Sequence, residues 1–170
     1  LSTYSIDAAY KVGMVPKVVK VTPDNKYVLV SNWCSYDLYV LDVASQQIIK
    51  IIKIGAYPRG IVISKDSRYA FVAQMGGSVV HQIDLQNFTT KKLPVGINPR
   101  ALVLSPDQNT LYATLNKSGQ VVAFDRTLNK VIYSIKTGAA TRSLDISSDG
   151  TALFVVNFNS GTVSKIRTSD

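Results

Sequence analysis

The chain has 170 residues, 46 % of them hydrophobic, and a formal net charge of +8 from 19 Lys and Arg against 11 acidic residues. That length suits one sizeable core, while no apolar run approaches the roughly 18 residues that would suggest a membrane-spanning helix and no signal-peptide pattern opens the sequence. Cys34 is the single cysteine, so no internal disulfide can form.

Before the first glycine, the stretch 3-12 reads as one extended strand. Gly13-Met14-Val15-Pro16-Lys17 then introduces a pentapeptide that returns as Gly55-Ala56-Tyr57-Pro58-Arg59, as Gly96-Ile97-Asn98-Pro99-Arg100 and, more loosely, as Gly138-Ala139-Ala140-Thr141-Arg142. These glycines stand 42, 41 and 42 residues apart. All eleven acidic residues are Asp, and seven keep the same beat. Asp24, Asp66, Asp107 and Asp149 lie in turn-like contexts, where an Asp side chain bonds nearby backbone amides. Asp42, Asp84 and Asp125 form the second series, with Arg167 in the fourth place. Three anchors on one period mark four copies of one unit, 13-54, 55-95, 96-137 and 138-170, in a single domain 1-170.

Within each unit a β-branched run follows the pentapeptide, for example Ile61-Val62-Ile63 or Leu102-Val103-Leu104. Past the anchor Asp come Tyr27 to Ser31, Tyr69 to Ala73, Leu111 to Leu115 and Ala152 to Asn157. A loop rich in Gly, Ser and Asn leads to a third run such as Leu38 to Leu41 or Val121 to Phe124. A fourth, Gln47 to Ile54 or Lys130 to Thr137, returns to the next glycine. Short runs of Val, Ile, Tyr and Thr broken by turn clusters are strands, and no helical period competes with them. The expected fold is all-β. Four antiparallel strands in a unit of this length make a β-propeller blade. The last unit stops after its third strand, and 3-12 stands where a fourth belongs, so the N-terminal strand is expected to complete the last blade. Four blades then either close a ring alone, with Lys20 facing Asp145 across the seam, or form the four-blade part of a larger ring.

Pro106-Asp107, Leu111-Tyr112-Ala113-Thr114 and Ser160-Gly161-Thr162-Val163-Ser164 resemble the YVTN-type propeller repeat, with Tyr27 to Asn32 and Leu153 to Asn157 as looser versions. Gln74 and Leu115 depart from it where the motif ends in Asn, as does Arg167 where the third strand should end in Asp. The resemblance covers nearly the whole chain and implies fold more than function. It also implies an extracytoplasmic place (periplasmic, secreted or on the cell surface).

Lys17, Arg59, Arg100 and Arg142 occupy one place in each unit. In a propeller, that turn and the loop after the second strand open on the same end, called the top, beside the central channel. At ~10 Å and an effective dielectric of 20, two such cations repel by ~1.7 kcal/mol. The cations are therefore wet, bonded to neighbouring Asp or carbonyl groups, or met by an anion. Trp33 and Tyr36 lie in the least repeat-like loop of that end, and aromatics beside cations form recognition surfaces. The six residues are the candidate binding site for an anionic ligand or a protein partner.

Catalysis finds little foothold. His81 is the single histidine and sits inside a strand, no cluster has metal-ligand spacing, and no nucleophile has a visible base partner. No cofactor is expected. The basic residues lie in every unit without a nucleic-acid motif, so no specific nucleic acid is expected either. The leading expectation is a binding scaffold. An architectural module of a surface or envelope assembly, including a homo-oligomer, and a channel-based enzyme or cofactor carrier are the alternatives.

Overall fold

The computed structural model describes residues 4–168, and each repeat unit in it becomes one antiparallel sheet. The first sheet holds β1 (Pro16–Val21), β2 (Tyr27–Asn32), β3 (Asp37–Asp42) and β4 (Gln47–Lys53). The second holds β5 (Pro58–Ile63), β6 (Tyr69–Gln74), β7 (Val79–Asp84) and β8 (Thr90–Pro94). The third holds β9 (Pro99–Leu104), β10 (Thr110–Leu115), β11 (Gln120–Asp125) and β12 (Lys130–Lys136). The fourth has three strands, β13 (Thr141–Ile146), β14 (Ala152–Asn157) and β15 (Thr162–Arg167). There is no α-helix among the described residues; one 3-10 turn spans Phe158–Ser160.

The periodic Asp residues build the turns locally. Asp24 accepts hydrogen bonds from the Thr22 hydroxyl at 2.6 Å and the Lys26 N–H at 3.0 Å. Asp66 does the same with Ser64 and Arg68 at 2.5 and 3.0 Å. Asp107 does so with Ser105 and Asn109 at 2.5 and 3.1 Å. Asp149 completes the set with Ser147 and Thr151 at 2.5 and 3.0 Å. The second Asp series caps the hairpin between third and fourth strands, where Asp42 accepts the Ser45 N–H and Asp125 those of Thr127 and Leu128.

Strand alternation then gives the second and third sheets two apolar faces. Ile61, Ala70, Val72 and Ile83 of the second sheet pack on Leu29, Leu38, Val40 and Ile52 of the first. On the opposite face, Phe71, Ala73, Val80 and Leu93 pack on Leu102, Leu111, Ala113 and Phe124 of the third. Val103, Tyr112 and Val121 of the third sheet meet Leu144, Leu153 and Val155 of the fourth. The first strands β1, β5, β9 and β13 line up side by side in that order. The result is an arc of four blade-like sheets that is not closed: the first sheet does not pack on the fourth.

Two expectations about the ends are therefore corrected. Residues 4–12 form no strand and leave the fourth sheet with three, while Thr3 lies outside the described residues. Because the arc is open, the segment leading into β1 belongs to the far end of the arc from β15. Lys20 and Asp145 do not meet either; both are exposed, and no ion pair joins them among the described residues. They stand at the strand position of Val62 and Val103, which point toward the following sheet. Two side chains aimed the same way round the arc cannot face each other across a seam.

Acid should unfold this protein in two stages. His81 is buried between the first two sheets, with Nε2 3.1 Å from Gln74 Oε1, and burial together with the nearby Lys92 charge lowers its pKa from 6.5 to about 4. Hydrogen bonds from the Ser147 hydroxyl and the Thr151 N–H lower that of Asp149 from 3.8 to about 2, and those of Asp24, Asp66 and Asp107 shift in the same direction for the same reason. All five pKa values lie below their unfolded values, so the unfolded chain binds more protons and stability falls with falling pH. Urea midpoints should be level above pH 7, decline between pH 6.5 and 4 through His81, and decline again between 3.8 and 2 through the aspartates. H81Q should remove the upper decline and leave the lower one.

Candidate functional site

One backbone pattern recurs at one end of all four sheets. The residue following the second strand donates its N–H to the residue preceding the first strand: Trp33 to Val15 O at 2.9 Å, Met75 to Tyr57 O at 3.1 Å, Asn116 to Asn98 O at 3.0 Å and Phe158 to Ala140 O at 3.2 Å. Those bonds fasten the loop and the pentapeptide turn into a single rim. Val15, Tyr57, Asn98 and Ala140 all sit in the left-handed region, with φ of 57°, 60°, 56° and 54°. Each such residue costs about 1–2 kcal/mol relative to ordinary backbone. The sequence pattern marks the glycine two positions earlier but gives no hint that these residues carry the left-handed turn.

Lys17, Arg59, Arg100 and Arg142 are each the second residue of β1, β5, β9 and β13, which places them directly below this rim. Their backbone serves the fold. The Ser31 hydroxyl donates to Arg59 O at 2.9 Å, and the Thr114 hydroxyl to Arg142 O at 3.2 Å, each bond joining one sheet to the next. Their side chains find no carboxylate: the ion pairs found among the described residues are Lys53–Asp37 at 3.2 Å and Arg68–Asp84 at 3.0 Å. Arg100 is half-buried, and burial with the charges of Arg59 and Arg142 lowers its pKa. Arg142 lies over the Phe158 ring at 3.2 Å from its centroid, and its buried Nε has no hydrogen-bond partner.

Trp33 packs on the neighbouring sheet's turn. Its ring stacks on Tyr57 at 4.8 Å and 28°, and Tyr36 meets Tyr57 edge-on at 5.6 Å and 82°. Lys17 Nζ stands 5.8 Å and the Arg59 guanidinium 5.5 Å from the Trp33 ring centre, so with Arg142 over Phe158 three of the four cations are held by cation–π attraction. Trp33, Tyr36, Lys17 and Arg59 thus form one cluster around Tyr57, and Arg100 with Arg142 continues it along the arc.

On the third and fourth sheets the same rim borders an open cleft of about 630 Å³ lined by Met75, Asn98, Asn116, Lys117, Lys136 and Asn159, among others. Asn98 donates Nδ2–H to Met75 O at 2.6 Å and Asn116 to Thr141 O at 2.8 Å, so both amides bind rim backbone through nitrogen. Sequence reasoning missed Lys117 and Lys136, which lie off every repeat anchor; their place became visible only when the loops were brought together. Among the described residues no three His, Cys, Asp or Glu side chains converge as metal ligands would, and no helix is long and apolar enough to cross a membrane.

The fold is that of a β-propeller-like protein, and comparisons with known proteins agree. Hydrazine synthase of Kuenenia stuttgartiensis superposes with a TM-score of 0.77 at 19 % identity, over 99 % of this chain and 54 % of that one. A functionally unknown protein from Desulfotomaculum acetoxidans gives 0.73 at 17 % identity, over 89 % and 55 %. A Bacteroides fragilis protein with a provisional 6-phosphogluconolactonase designation gives 0.78 at 18 % identity, over 91 % and 51 %. Among curated proteins, antigen Lp49 of Leptospira interrogans serogroup Icterohaemorrhagiae is 29 % identical over 153 residues, 84 % of this chain and 33 % of the antigen. The chain thus spans about half the length of these solved structures and a third of the antigen. No protein-family model matches it.

If the rim carries backbone strain, A140G should relieve it, because glycine adopts φ of 54° without a Cβ clash. Chemical denaturation should show a gain of about 0.5–1 kcal/mol. A loss of stability would mean that the left-handed turn carries no strain.

Proposed function

We propose that this chain is a non-enzymatic binding scaffold, a YVTN-type propeller domain spanning 1-170, that takes an anionic ligand or an acidic protein segment on its top face. The observation that carries this reading is the state of Arg100. It is half-buried beside two like charges, Arg59 and Arg142, and no carboxylate pairs with it among the described residues. A carboxylate or phosphate placed between the guanidinium groups would cancel that repulsion, accept the free donors (the Arg142 Nε–H among them) and bind through charge-assisted bonds. Trp33, Tyr36 and Tyr57 would wall one side with amphipathic rings, and Lys17 would extend the positive field. Screening by salt should weaken such binding.

The test is calorimetric titration with an oligoglutamate peptide and, separately, inorganic phosphate, at two salt concentrations. The expected result is salt-sensitive binding that weakens at least tenfold in R100A/R142A, since one lost charge-assisted bond is worth about 1.5–3 kcal/mol, while K130A, remote from the rim, behaves as wild type. Equal affinity of R100A/R142A and wild type would remove the arginine arc from the site.

A second reading, an architectural module of a surface or envelope assembly, draws support from the relative named as an antigen. It predicts that both probes fail to bind and that the protein, expressed in its own host, is accessible to protease on intact cells. The enzyme reading rests on one fold neighbour's provisional lactonase designation at 18 % identity. Lactone hydrolysis by the purified protein would establish it in place of the binding reading.

A further inference from the structure

We propose that the cleft between the rim loops of the third and fourth sheets binds a sugar carboxylate, a small ligand with one negative charge and several hydroxyl groups. Its lining runs from Met75 to Asn159, in the interior of the chain, and includes none of Lys17, Arg59, Arg100 and Arg142. The repeat shows how the space arises. Three gaps separate the four rim loops. In the first, Trp33 and Tyr57 fill the space with stacked rings 4.8 Å apart. In the second, Asn98 reaches across to Met75 O at 2.6 Å. Asn116 and Ala140 hold those places in the third, with no ring between them, and a cleft of about 630 Å³ remains.

A second departure from the repeat puts charge on the same space. Lys53 and Lys136 are the last residues of β4 and β12, and their cross-strand partners are Asp37 and Gln120. Asp37 neutralises Lys53 at 3.2 Å. Gln120 carries no charge, and its amide donates to the Ser134 hydroxyl at 3.1 Å. The second sheet has Val79 and Pro94 at this pair, so the blade itself needs no cation there. Lys136 joins Lys117 in a cleft whose lining holds no Asp, in a chain without Glu. Neither lysine pairs with a carboxylate among the described residues.

Two ammonium groups attract an anion, and the rest of the lining selects which one. The main-chain N–H groups of Asn98, Asn116, Gly119, Ala139 and Asn159 are all engaged within the rim, so they form no nest for a phosphate. Asn98 and Asn116 give Nδ2–H to Met75 O and Thr141 O, which leaves each Oδ1 as an acceptor. A bare anion would set acceptor against acceptor there. A sugar carboxylate brings its charge to Lys117 and Lys136 and donates hydroxyl hydrogens to the amide oxygens. The volume suits one or two sugar rings. Loops and strand ends make up the lining, without the free strand edge or apolar groove that seats a peptide. The site shares one end of the sheets with the arginine arc and uses none of its side chains.

Calorimetric titration with D-galacturonate tests it, against D-galactose, which lacks the charge, and acetate, which lacks the hydroxyl groups. On the wild type, galacturonate should bind about tenfold more tightly than either. That comparison needs no variant to fold. Q120D sets a carboxylate opposite Lys136, as Asp37 stands opposite Lys53, and removes no lining side chain. It should weaken galacturonate binding about tenfold. A139W fills the cleft and should abolish binding, while R100A/R142A binds as wild type. Absence of galacturonate binding, or equal affinity for acetate or galactose, would overturn the proposal. So would Q120D and A139W proteins that keep the β-sheet spectrum and bind galacturonate normally. Loss of binding in R100A/R142A but in neither cleft variant would move the ligand to the arginine arc, overturning this site and leaving the proposed function in place. Oligoglutamate that binds more tightly than galacturonate and is weakened by Q120D would overturn it in favour of an acidic segment.

Discussion

The second and third sheets are apolar on both sides, and a sheet with two apolar faces is stable only between neighbours. Burial of apolar area stabilises by roughly 25 cal/mol per Å², and side chains such as Leu29, Phe71, Leu111 and Phe124 reach full burial only because another sheet lies against them. The unit that holds together is therefore the interface between sheets and not the sheet itself. From this follow the succession of first strands along the arc and the placing of bulky residues on both sides of the second and third sheets.

Using both faces for packing leaves few places for recognition. The strand side chains of the inner sheets are consumed by their neighbours, so variable chemistry is confined to the ends of the sheets, where loops meet solvent. The pentapeptide turn works at that boundary. Its proline (threonine in the fourth unit) opens the first strand, the residue just before it sits in the left-handed region, and the cation lies below the rim, with the main-chain carbonyl of Arg59 and of Arg142 bonded to the preceding sheet. Backbone and side chain of one residue thus have separate duties. The carbonyl serves the stack, and the guanidinium is left without a carboxylate among the described residues.

Departures from the repeat have local physical reasons. Asn32 and Asn157 close their strands with buried amides: Asn32 donates to Asp37 at 3.1 Å, and Asn157 to Thr162 and Ser164 at 3.1 and 2.8 Å. Gln74 at the same position reaches the single histidine instead. The Leu115 side chain joins the apolar cluster between the second and third sheets, and the polar contacts there fall to its backbone carbonyl, which accepts from the Thr141 hydroxyl at 3.0 Å. Arg167 stands where an Asp caps the hairpin in the other three units.

What the sequence determined by itself was everything that depends on neighbours within one unit. Strand order, the Asp-built turns and the common place of Lys17, Arg59, Arg100 and Arg142 were legible because short-range hydrogen bonds and side-chain alternation repeat with the period. The structure alone decided matters that depend on how far the stack bends. It left the arc open, kept residues 4–12 out of the fourth sheet and separated Lys20 from Asp145, because curvature is set by the summed volumes of side chains between sheets, which no single unit encodes. It likewise brought Trp33 onto Tyr57, and Asn98 onto Met75, from different sheets. Those contacts cross between units, and periodicity carries no information about residues that break it.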